Sequence, residues 1–396
     1  VENGEIIDEV IATVFKAPHS YTGENTVELS CHGGQFVTSR VLDAVYNAGA
    51  VPAQAGEFSF RAYLNGKIDL SNAESIMGII GAKGQKAMEI ALRNKDGAVS
   101  KEIDKITDRL LNLTAKIAVF CDYPDDESMG IDQNEFINEI QNCKQSVQTL
   151  LNNYENGRLL QSGILTVIAG KPNVGKSTLI NLLAGEQVAI VTPVAGTTRD
   201  IIETEINLGG LYLRLADTAG IRETGDTVEK IGVDLAKKKM EQSDIILYLT
   251  EAGAAVTEKE KADLKKYRDK IIAVINKTDL NSPDTSYFDK QNITAVCISA
   301  KTGEGKDLLC QAISQKTGIL NISPQTVVLQ SARQKEAAKS ALDALIKAED
   351  ALISGLTPDC YGVWLDEALA KLLEITGKRV QIEVANRVFR DFCVGK

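Results

Sequence analysis

The sequence is poor in the residues that build zinc sites and disulfide frameworks. Its 396 residues include two histidines and seven cysteines, and no two cysteines form a C-x-x-C pair. Such sites require clustered Cys and His residues, so neither is predicted. Scattered thiols in odd number are typical of a reducing compartment, and no secretion signal is recognisable. We therefore expect a cytoplasmic protein.

Long apolar runs and an excess of basic residues are also missing. No run approaches the roughly 18 apolar residues of a membrane-spanning helix, so no membrane association is expected. The chain has 44 Lys and Arg against 54 Asp and Glu, a formal net charge of −10. This balance argues against a broad basic surface for nucleic acid, because binding to phosphates needs clustered cations. The length fits a globular protein of two or three domains.

A phosphate-binding motif is what the sequence does contain. Residues 170–177 read G-K-P-N-V-G-K-S, which fits the pattern G-x-x-x-x-G-K-[ST]. The apolar run Ile164–Ala169 before it and the helix-like run Thr178–Ala184 after it predict the strand, loop and helix that the motif needs. Backbone N–H groups and the helix N-terminus would bind a polyphosphate. Lys176 would reach the β- and γ-phosphates as a catalytic residue, and the Ser177 hydroxyl would ligate Mg²⁺.

Three further short elements follow in the order and spacing of a GTP-binding domain, each after a strand-like apolar run. The first offers a carboxylate to the Mg²⁺ shell and a glycine beside the γ-phosphate. The second ends in Asp279, whose carboxylate matches the N1–H and amino group of guanine and not the edge of adenine. The third would close over the base, and an ATPase is the weaker alternative. The elements are Asp217-Thr218-Ala219-Gly220, Asn276-Lys277-Thr278-Asp279 and Ser299-Ala300-Lys301.

Two segments between these elements are predicted to be switches. The first is Thr192–Arg199, in which Thr198 is a candidate Mg²⁺ ligand, and the second runs from Asp217 to about Glu229. Ile221 stands where Ras-like proteins place the glutamine that orients the attacking water, and an alkyl side chain cannot do this. Other groups must therefore position the water. The predicted nucleotide-binding set is Asn173, Val174, Gly175, Lys176, Ser177, Thr178, Thr192, Pro193, Val194, Ala195, Gly196, Thr197, Thr198, Asp217, Thr218, Ala219, Gly220, Asn276, Lys277, Thr278, Asp279, Ser299, Ala300 and Lys301.

The periodicity of apolar residues divides the chain into four regions. Residues 1–65 mix strand-like runs with one helical stretch, and residues 161–322 alternate strands and helices. Residues 66–160 and 323–396 carry one-sided apolar stripes, which we interpret as core packing. We therefore predict a multidomain fold, α/β plus all-α. A P-loop domain, mostly parallel sheet with helices on both faces, is inserted in a bundle that both helical blocks form. The stripes are Ile103, Ile106, Leu110, Leu113 and Ile117; Phe136, Ile137, Ile140, Val147, Leu150 and Leu151; Ala341, Leu342, Leu345, Ile346 and Leu352; and Trp364, Leu365, Ala368, Leu369, Leu372 and Leu373.

Four patches along the chain are distinctive. They are Ser20-Tyr21-Thr22-Gly23-Glu24 with Glu28-Leu29-Ser30-Cys31-His32-Gly33-Gly34; Gly56-Glu57-Phe58-Ser59 with Arg61-Ala62; the GTPase elements including Gly196-Thr197-Thr198-Arg199-Asp200; and Phe392-Cys393-Val394-Gly395-Lys396. Together they resemble the family of tRNA-modification GTPases called MnmE or TrmE, of the TRAFAC class. The likeness spans essentially the whole chain. The chain starts without methionine, and the family's arginine near the native N-terminus has no counterpart, so we expect that the start of the first domain is missing.

This resemblance implies an N-terminal α+β domain that binds folate and dimerises, a helical domain split by the GTPase domain, and GTP hydrolysis stimulated by K⁺. It also implies an FAD-containing partner, MnmG (GidA), in a heterotetramer or larger complex. The two proteins would install a 5-aminomethyl or 5-carboxymethylaminomethyl group on the wobble uridine of tRNA. The one-carbon unit would come from 5-formyl- or methylene-tetrahydrofolate, and tRNA would be bound mainly through the partner.

The resemblance also implies roles for single residues. The K⁺ ligand of the phosphate loop falls on Asn173, and the acid that organises water falls on Glu229. Cys393 is a candidate nucleophile or acid–base group, and it could equally be a packed small residue. Oxygens near Thr192, Val194 and Thr197 would complete the K⁺ site. The folate contacts fall on Glu28, Lys67 and Lys396.

A regulatory GTPase like Era or Der, which binds ribosomes or membranes, is the alternative. Such proteins share the P-loop, the G-T-T-R-D type of switch and an apolar residue after D-T-A-G. They differ at their ends, because this sequence shows no basic RNA-binding appendage and no second GTPase domain. Binding of 5-formyl-tetrahydrofolate, as opposed to co-sedimentation with ribosomes, discriminates between the two.

Overall fold

The structure is a computed structural model and describes residues 4–122, 132–185, 203–216, 238–319, 323, 325–379, 385 and 388–389. The chain forms two compact units. The first comprises Val1–Ile80, Ala91–Leu151 and Val327–Lys396, and the second comprises Gly81–Ile90 and Asn152–Thr326. The second unit is thus inserted in the first, which confirms the predicted fold class. The domain boundaries at residues 65, 160 and 322 stay predictions.

Helices dominate the chain before the inserted sheet. In order, the elements are β1 (Ile11–Phe15), β2 (Thr26–Ser30), α1 (Gln35–Asn47), α2 (Glu57–Leu64), α3 (Leu70–Ile80), α4 (Gln85–Lys95), α5 (Ala98–Asp122) and α6 (Gln133–Ser162). The chain continues with β3 (Ile164–Gly170), α7 (Lys176–Ala184), β4 (Glu203–Leu208), β5 (Leu211–Ala216), β6 (Ile245–Glu251), α8 (Glu258–Lys266), β7 (Ile271–Asn276), α9 (Ser286–Lys290), β8 (Thr294–Cys297), α10 (Lys306–Thr317), α11 (Ala332–Ile353) and α12 (Pro358–Thr376). No helix among the described residues combines the length and the apolar character that a membrane crossing needs.

The apolar stripes of the helical segments form the interior of the first unit. Aromatic side chains take part, since Phe136 of α6 meets Tyr361 of α12 with ring centroids 6.3 Å apart. The interpretation of the stripes as core packing is therefore confirmed for most of their members. The buried ones are Ile103, Ile106, Leu110, Leu113, Ile117, Phe136, Ile140, Val147, Leu150, Ala341, Leu345, Leu352, Leu365, Ala368, Leu369 and Leu372.

The prediction is wrong for Ile346, whose side chain is 38% exposed. Helix α11 turns a face of small residues inward, including Ala341, Ala344 and Ala348, which are almost fully buried. Each residue advances about 100° around a helix, so the position directly after Leu345 lies away from that face.

A polar network ties α3 to α11 and to the end of α12. The Nε and Nη2 atoms of Arg333 donate to the Glu74 carboxylate at 3.0 and 2.8 Å. The same guanidinium donates to the carbonyl oxygens of Glu374 and Ile375 at 2.5 and 2.9 Å, in the last turn of α12. Gln334 adds a hydrogen bond to Glu74 at 2.6 Å. Because the Glu74 side chain is only 9% exposed, its charge is compensated mainly by these groups.

The second unit is built on a six-stranded sheet in the order β4-β5-β3-β6-β7-β8. Every neighbouring pair is parallel except β4 and β5. The strands are apolar on both faces: in β7, Ile272 and Val274 belong to one core cluster, whereas Ile271 and Ala273 belong to the other. The loops that follow β3, β7 and β8 all leave the same edge of the sheet, because these strands run in one direction. Ligand sites of such sheets lie at that edge.

Candidate nucleotide site

The phosphate loop connects β3 to α7, as the motif predicts. Gly170 has φ 139° and Gly175 has φ 98°, backbone conformations that other residues rarely adopt. Space is lacking as well. A Cβ atom on Gly170 would lie 2.3 Å from the Leu249 carbonyl oxygen, and one on Gly175 would lie 2.3 Å from Asn276 Nδ2. Both positions therefore require glycine for this loop shape.

Lys176 begins α7 and turns its ammonium group back over the loop. Its Nζ donates to the carbonyl oxygens of Gly170 and Lys171 at 2.8 and 2.7 Å. Burial lowers the pKa of Lys176, because the charged form loses solvation. An under-solvated ammonium gains from a bound polyphosphate, which suits its predicted role. Ser177 and Thr178 follow in the first turn of α7 with exposed side chains.

Asn276 joins the phosphate loop to the predicted base-closing element. It lies at the end of β7 and is 3% exposed. Its Nδ2 donates to the Val174 carbonyl oxygen at 2.8 Å, and its Oδ1 accepts from the Ala300 N–H at 2.9 Å. One buried amide thus satisfies the backbone of two loops, and the structure brings three of the predicted elements together.

Asp279, the residue predicted to recognise guanine, lies in the loop that follows β7. Its side chain is exposed, and Oδ1 accepts a hydrogen bond from the buried Ser299 hydroxyl at 2.8 Å. The Ser299 hydroxyl also accepts from the Thr302 N–H at 3.2 Å, so the loop folds tightly around it. This contact orients the carboxylate, whose oxygens are suited to the two N–H donors of guanine. Lys301 is exposed next to Ala300.

Lys277 and Thr278, which follow β7, link the end of this strand to the ends of β6 and β8. Lys277 has φ 64°, a left-handed conformation, and its Nζ pairs with the Glu251 carboxylate at 2.9 Å. The Thr278 N–H donates to the Ile298 carbonyl oxygen at 3.3 Å, which links the ends of β7 and β8. The backbone around Asp279 is therefore held on two sides.

The remaining predicted nucleotide, metal, catalytic and folate residues, together with Ile221, lie outside the described residues. The two predicted switch segments adjoin described strands in the sequence. The first precedes β4, which begins at Glu203, and the second follows β5, which ends at Ala216. The residues concerned are Thr192, Pro193, Val194, Ala195, Gly196, Thr197, Thr198, Asp217, Thr218, Ala219, Gly220, Ile221, Glu229, Cys393 and Lys396.

The N-terminal region brings two of the distinctive patches into contact. Strands β1 and β2 pair antiparallel. Within the segment that connects them, Tyr21 Oη lies 2.8 Å from Ser59 Oγ, and Glu24 lies 3.4 Å from Arg61 Nη1. These contacts give both patches a structural role. Of the predicted folate residues, Glu28 is exposed on β2, and Lys67 Nζ donates to the Pro18 carbonyl oxygen at 3.0 Å. No hydrogen bond between described residues joins Glu28 to Lys67.

Known proteins match the chain over both units. The family described as "GTP-binding protein TrmE N-terminus" matches residues 1–67, and the family described as "MnmE helical domain" matches residues 70–393. The tRNA modification GTPase MnmE of Natranaerobius thermophilus is 38% identical over 400 residues, which cover 100% of this chain and 87% of the relative. The MnmE of Fervidobacterium nodosum is 39% identical over 399 residues, covering 100% and 86%.

The chain belongs to the MnmE family of tRNA modification GTPases. This confirms the family inferred from the four patches, and the second unit is the GTPase domain of an MnmE-family enzyme. Among solved structures, Aquifex aeolicus Era bound to GDP and aluminium fluoride is 28% identical, with 46% of this chain and 67% of that chain covered at a TM-score of 0.32. A score this low supports no conclusion about function.

Two carboxylates of this MnmE-family GTPase domain were not predicted to belong to the site. Glu251 ends β6 and pairs with Lys277, and Glu260 of α8 pairs with Lys171 of the phosphate loop at 2.9 Å. The sequence carries a partial signal for Glu260, because Thr257 three residues earlier makes a capping box that starts a helix. Nothing in the sequence shows that this helix start faces the phosphate loop.

Proposed function

We propose that this MnmE-family chain is a K⁺-stimulated GTPase that modifies the wobble uridine of tRNA together with an FAD-containing partner, MnmG (GidA). The product would carry a 5-aminomethyl or 5-carboxymethylaminomethyl group, and 5-formyl- or methylene-tetrahydrofolate would supply the one-carbon unit. The match of relatives along the whole chain is the observation that carries this proposal. It also weighs against the Era- or Der-like alternative, which would share only the GTPase domain.

The described residues fit the ions that the proposal needs. Ser177 offers an exposed hydroxyl in the first turn of α7, a suitable ligand for Mg²⁺. Asn173 lies in the phosphate loop with φ 64° and an exposed side chain, and its amide oxygen suits an alkali cation. A bound K⁺ would supply positive charge where negative charge develops during phosphoryl transfer. The further ligands proposed for K⁺ are Thr192, Val194 and Thr197, and Thr198 is proposed for Mg²⁺.

The chain's own side chains would share the remaining work of hydrolysis. Lys176 would bind the β- and γ-phosphates, and Asp279 would select guanine. Glu229 would hold the attacking water in place of the glutamine that Ile221 replaces. Two GTPase domains would meet across a homodimer.

The folate chemistry would take place in the first unit. Glu28, Lys67 and Lys396 would bind the tetrahydrofolate, and the Cys393 thiol would act as nucleophile or acid–base group. The N-terminal domain would span residues 1–65 and dimerise. Two such chains and the flavoprotein would form a heterotetramer or larger complex in the cytoplasm, with tRNA bound mainly by the partner and no membrane involved.

Exchange of K⁺ for Na⁺ at constant ionic strength is expected to lower kcat for GTP hydrolysis at least about tenfold, because a site shaped for the larger ion would no longer place charge beside the transferred phosphate. Steady-state phosphate release in the two salts measures this. Asn173→Ala should reduce the rate in K⁺ to the level seen in Na⁺. Asn292→Ala is the matched control, since Asn292 is also left-handed, with φ 55°, but precedes β8 at the opposite edge of the sheet. Equal rates of the unaltered protein in both salts would refute the proposal for K⁺.

Deletion of the gene is expected to remove the wobble-uridine modification from tRNA, as measured by mass spectrometry of nucleosides. The unaltered gene should restore it, and Glu229→Ala should fail to do so because hydrolysis is lost. Cys393→Ser should hydrolyse GTP normally and still fail to restore the modification. A deletion strain with normal tRNA and defective ribosomes would instead support the Era-like alternative.

A further inference from the structure

Lys171, the second residue of the phosphate loop, is tethered to the neighbouring helix α8. Its Nζ lies 2.9 Å from Glu260 Oε2. The Lys171 side chain is 47% exposed, whereas the Glu260 side chain is only 8% exposed. The pair therefore differs from an ordinary surface salt bridge, since one of its charges is withdrawn from water and depends on its partners.

The anchor of this tether is held independently of Lys171. The Thr257 N–H and hydroxyl both donate to Glu260 Oε2, at 2.7 and 2.6 Å. This is the same oxygen that Lys171 contacts. Burial favours the neutral acid, but the Thr257 hydrogen bonds and the Lys171 ammonium outweigh it and lower the pKa of Glu260. Glu260 is thus an ionised acceptor that Thr257 holds in place, and Lys171 pairs with it.

Lys176 contacts the same short piece of the loop, through the carbonyl oxygens of Gly170 and Lys171. The Lys176 ammonium has three N–H donors, so it must give up at least one of these carbonyls to donate to both the β- and the γ-phosphate. The Lys171–Glu260 pair does not involve the Lys176 ammonium, so it is kept when that ammonium turns to the phosphates. The tether can therefore hold this part of the loop both before and after nucleotide binds.

We propose that Glu260 is a positioning residue for nucleotide binding, which acts through Lys171 to hold the first half of the phosphate loop in its phosphate-accepting shape. It pre-organises the loop and so reduces the ordering that binding requires. The tether acts on the ground state and the transition state alike. Its loss should therefore raise KM and leave kcat almost unchanged.

The test uses two substitutions that remove charge and keep shape. Lys171→Met retains the aliphatic stem, and Glu260→Gln retains an acceptor for Thr257. Each is expected to raise KM for GTP and the Kd for GDP about five- to tenfold, with kcat within about twofold. The double variant should be no worse than the more affected single variant, because both changes break one interaction.

Lys261→Met is the matched control on the same helix, since it removes an exposed pair with Glu258, at 2.6 Å, and a contact 5.8 Å from the centroid of the Tyr287 ring. It should leave KM, kcat and the melting temperature unaltered. A purely structural role would lower the melting temperature of Lys171→Met without a change in Kd, which would overturn the proposal. Additive effects in the double variant, or a fall in kcat at constant KM, would overturn it as well. If Glu260→Gln does not fold, Lys171→Met alone still decides between these outcomes.

Discussion

Replacement of Asn276 by alanine is expected to raise the Kd for GTP about a hundredfold. The substitution leaves the Val174 carbonyl and the Ala300 N–H without their described partner in a buried place. Each such orphaned group costs about 1–3 kcal/mol, and every 1.4 kcal/mol is a factor of about ten in affinity. Both loops are predicted to contribute to the nucleotide site, so much of this energy should appear as lost binding. Titration with a fluorescent GTP analogue measures it.

Asn281→Ala is the control for this experiment. Asn281 lies in the exposed loop that follows Asp279, so its loss should leave the Kd unchanged within about twofold. A melting curve of each variant shows whether the protein still folds. A Kd for Asn276→Ala within about threefold of the unaltered protein would mean that the two loops keep their shape without the amide bridge.

Replacement of Arg333 by methionine is expected to lower the free energy of unfolding of the first unit by about 3–5 kcal/mol. This is the usual effect of removing one partner of a buried ion pair. Glu74 would keep a charge that is only 9% exposed, and two carbonyls in the last turn of α12 would lose a donor. Trp364 of α12 is the only tryptophan of the chain, so its fluorescence during urea unfolding reports on this unit.

Lys378→Met is the matched control for Arg333→Met. It breaks the pair between Lys378 and Asp104, at 2.6 Å, whose side chains are 51% and 44% exposed. Exposed pairs of this kind contribute less than about 1 kcal/mol. Equal destabilisation by the two methionine variants would show that the buried network contributes no more than a surface pair.

Local sequence patterns predicted the parts of the structure that depend on local physics. The G-x-x-x-x-G-K-S motif needs a strand before it and a helix after it, and β3 and α7 are there. The spacing of Ile103, Ile106 and Leu110 reflects one face of a helix, and that face is buried. The inserted order followed from helical stripes on both sides of an alternating segment, because neither block could bury its stripes alone.

Contacts between distant residues could not be predicted in this way. Asn276 and Val174 are 102 residues apart, and Arg333 and Glu74 are 259 residues apart. Each is an ordinary polar residue whose role depends on which helix or loop the fold places beside it. Even within a stripe, Ile346 shows the limit, because the small residues that α11 packs inward decided which face is buried.

The insertion of the second unit also sets the order in which the chain can fold during synthesis. Helix α5 packs against α12, where Gly362 lies against Ile117, yet the ribosome makes Asn152–Thr326 between them. At about 5–20 residues per second, this interval lasts roughly 10–35 s. The GTPase domain can therefore finish folding before α12, which packs against α5, has been synthesised. During that time the nascent chain exposes the apolar face of α5. We expect chaperones to bind this face until α11 and α12 have been synthesised.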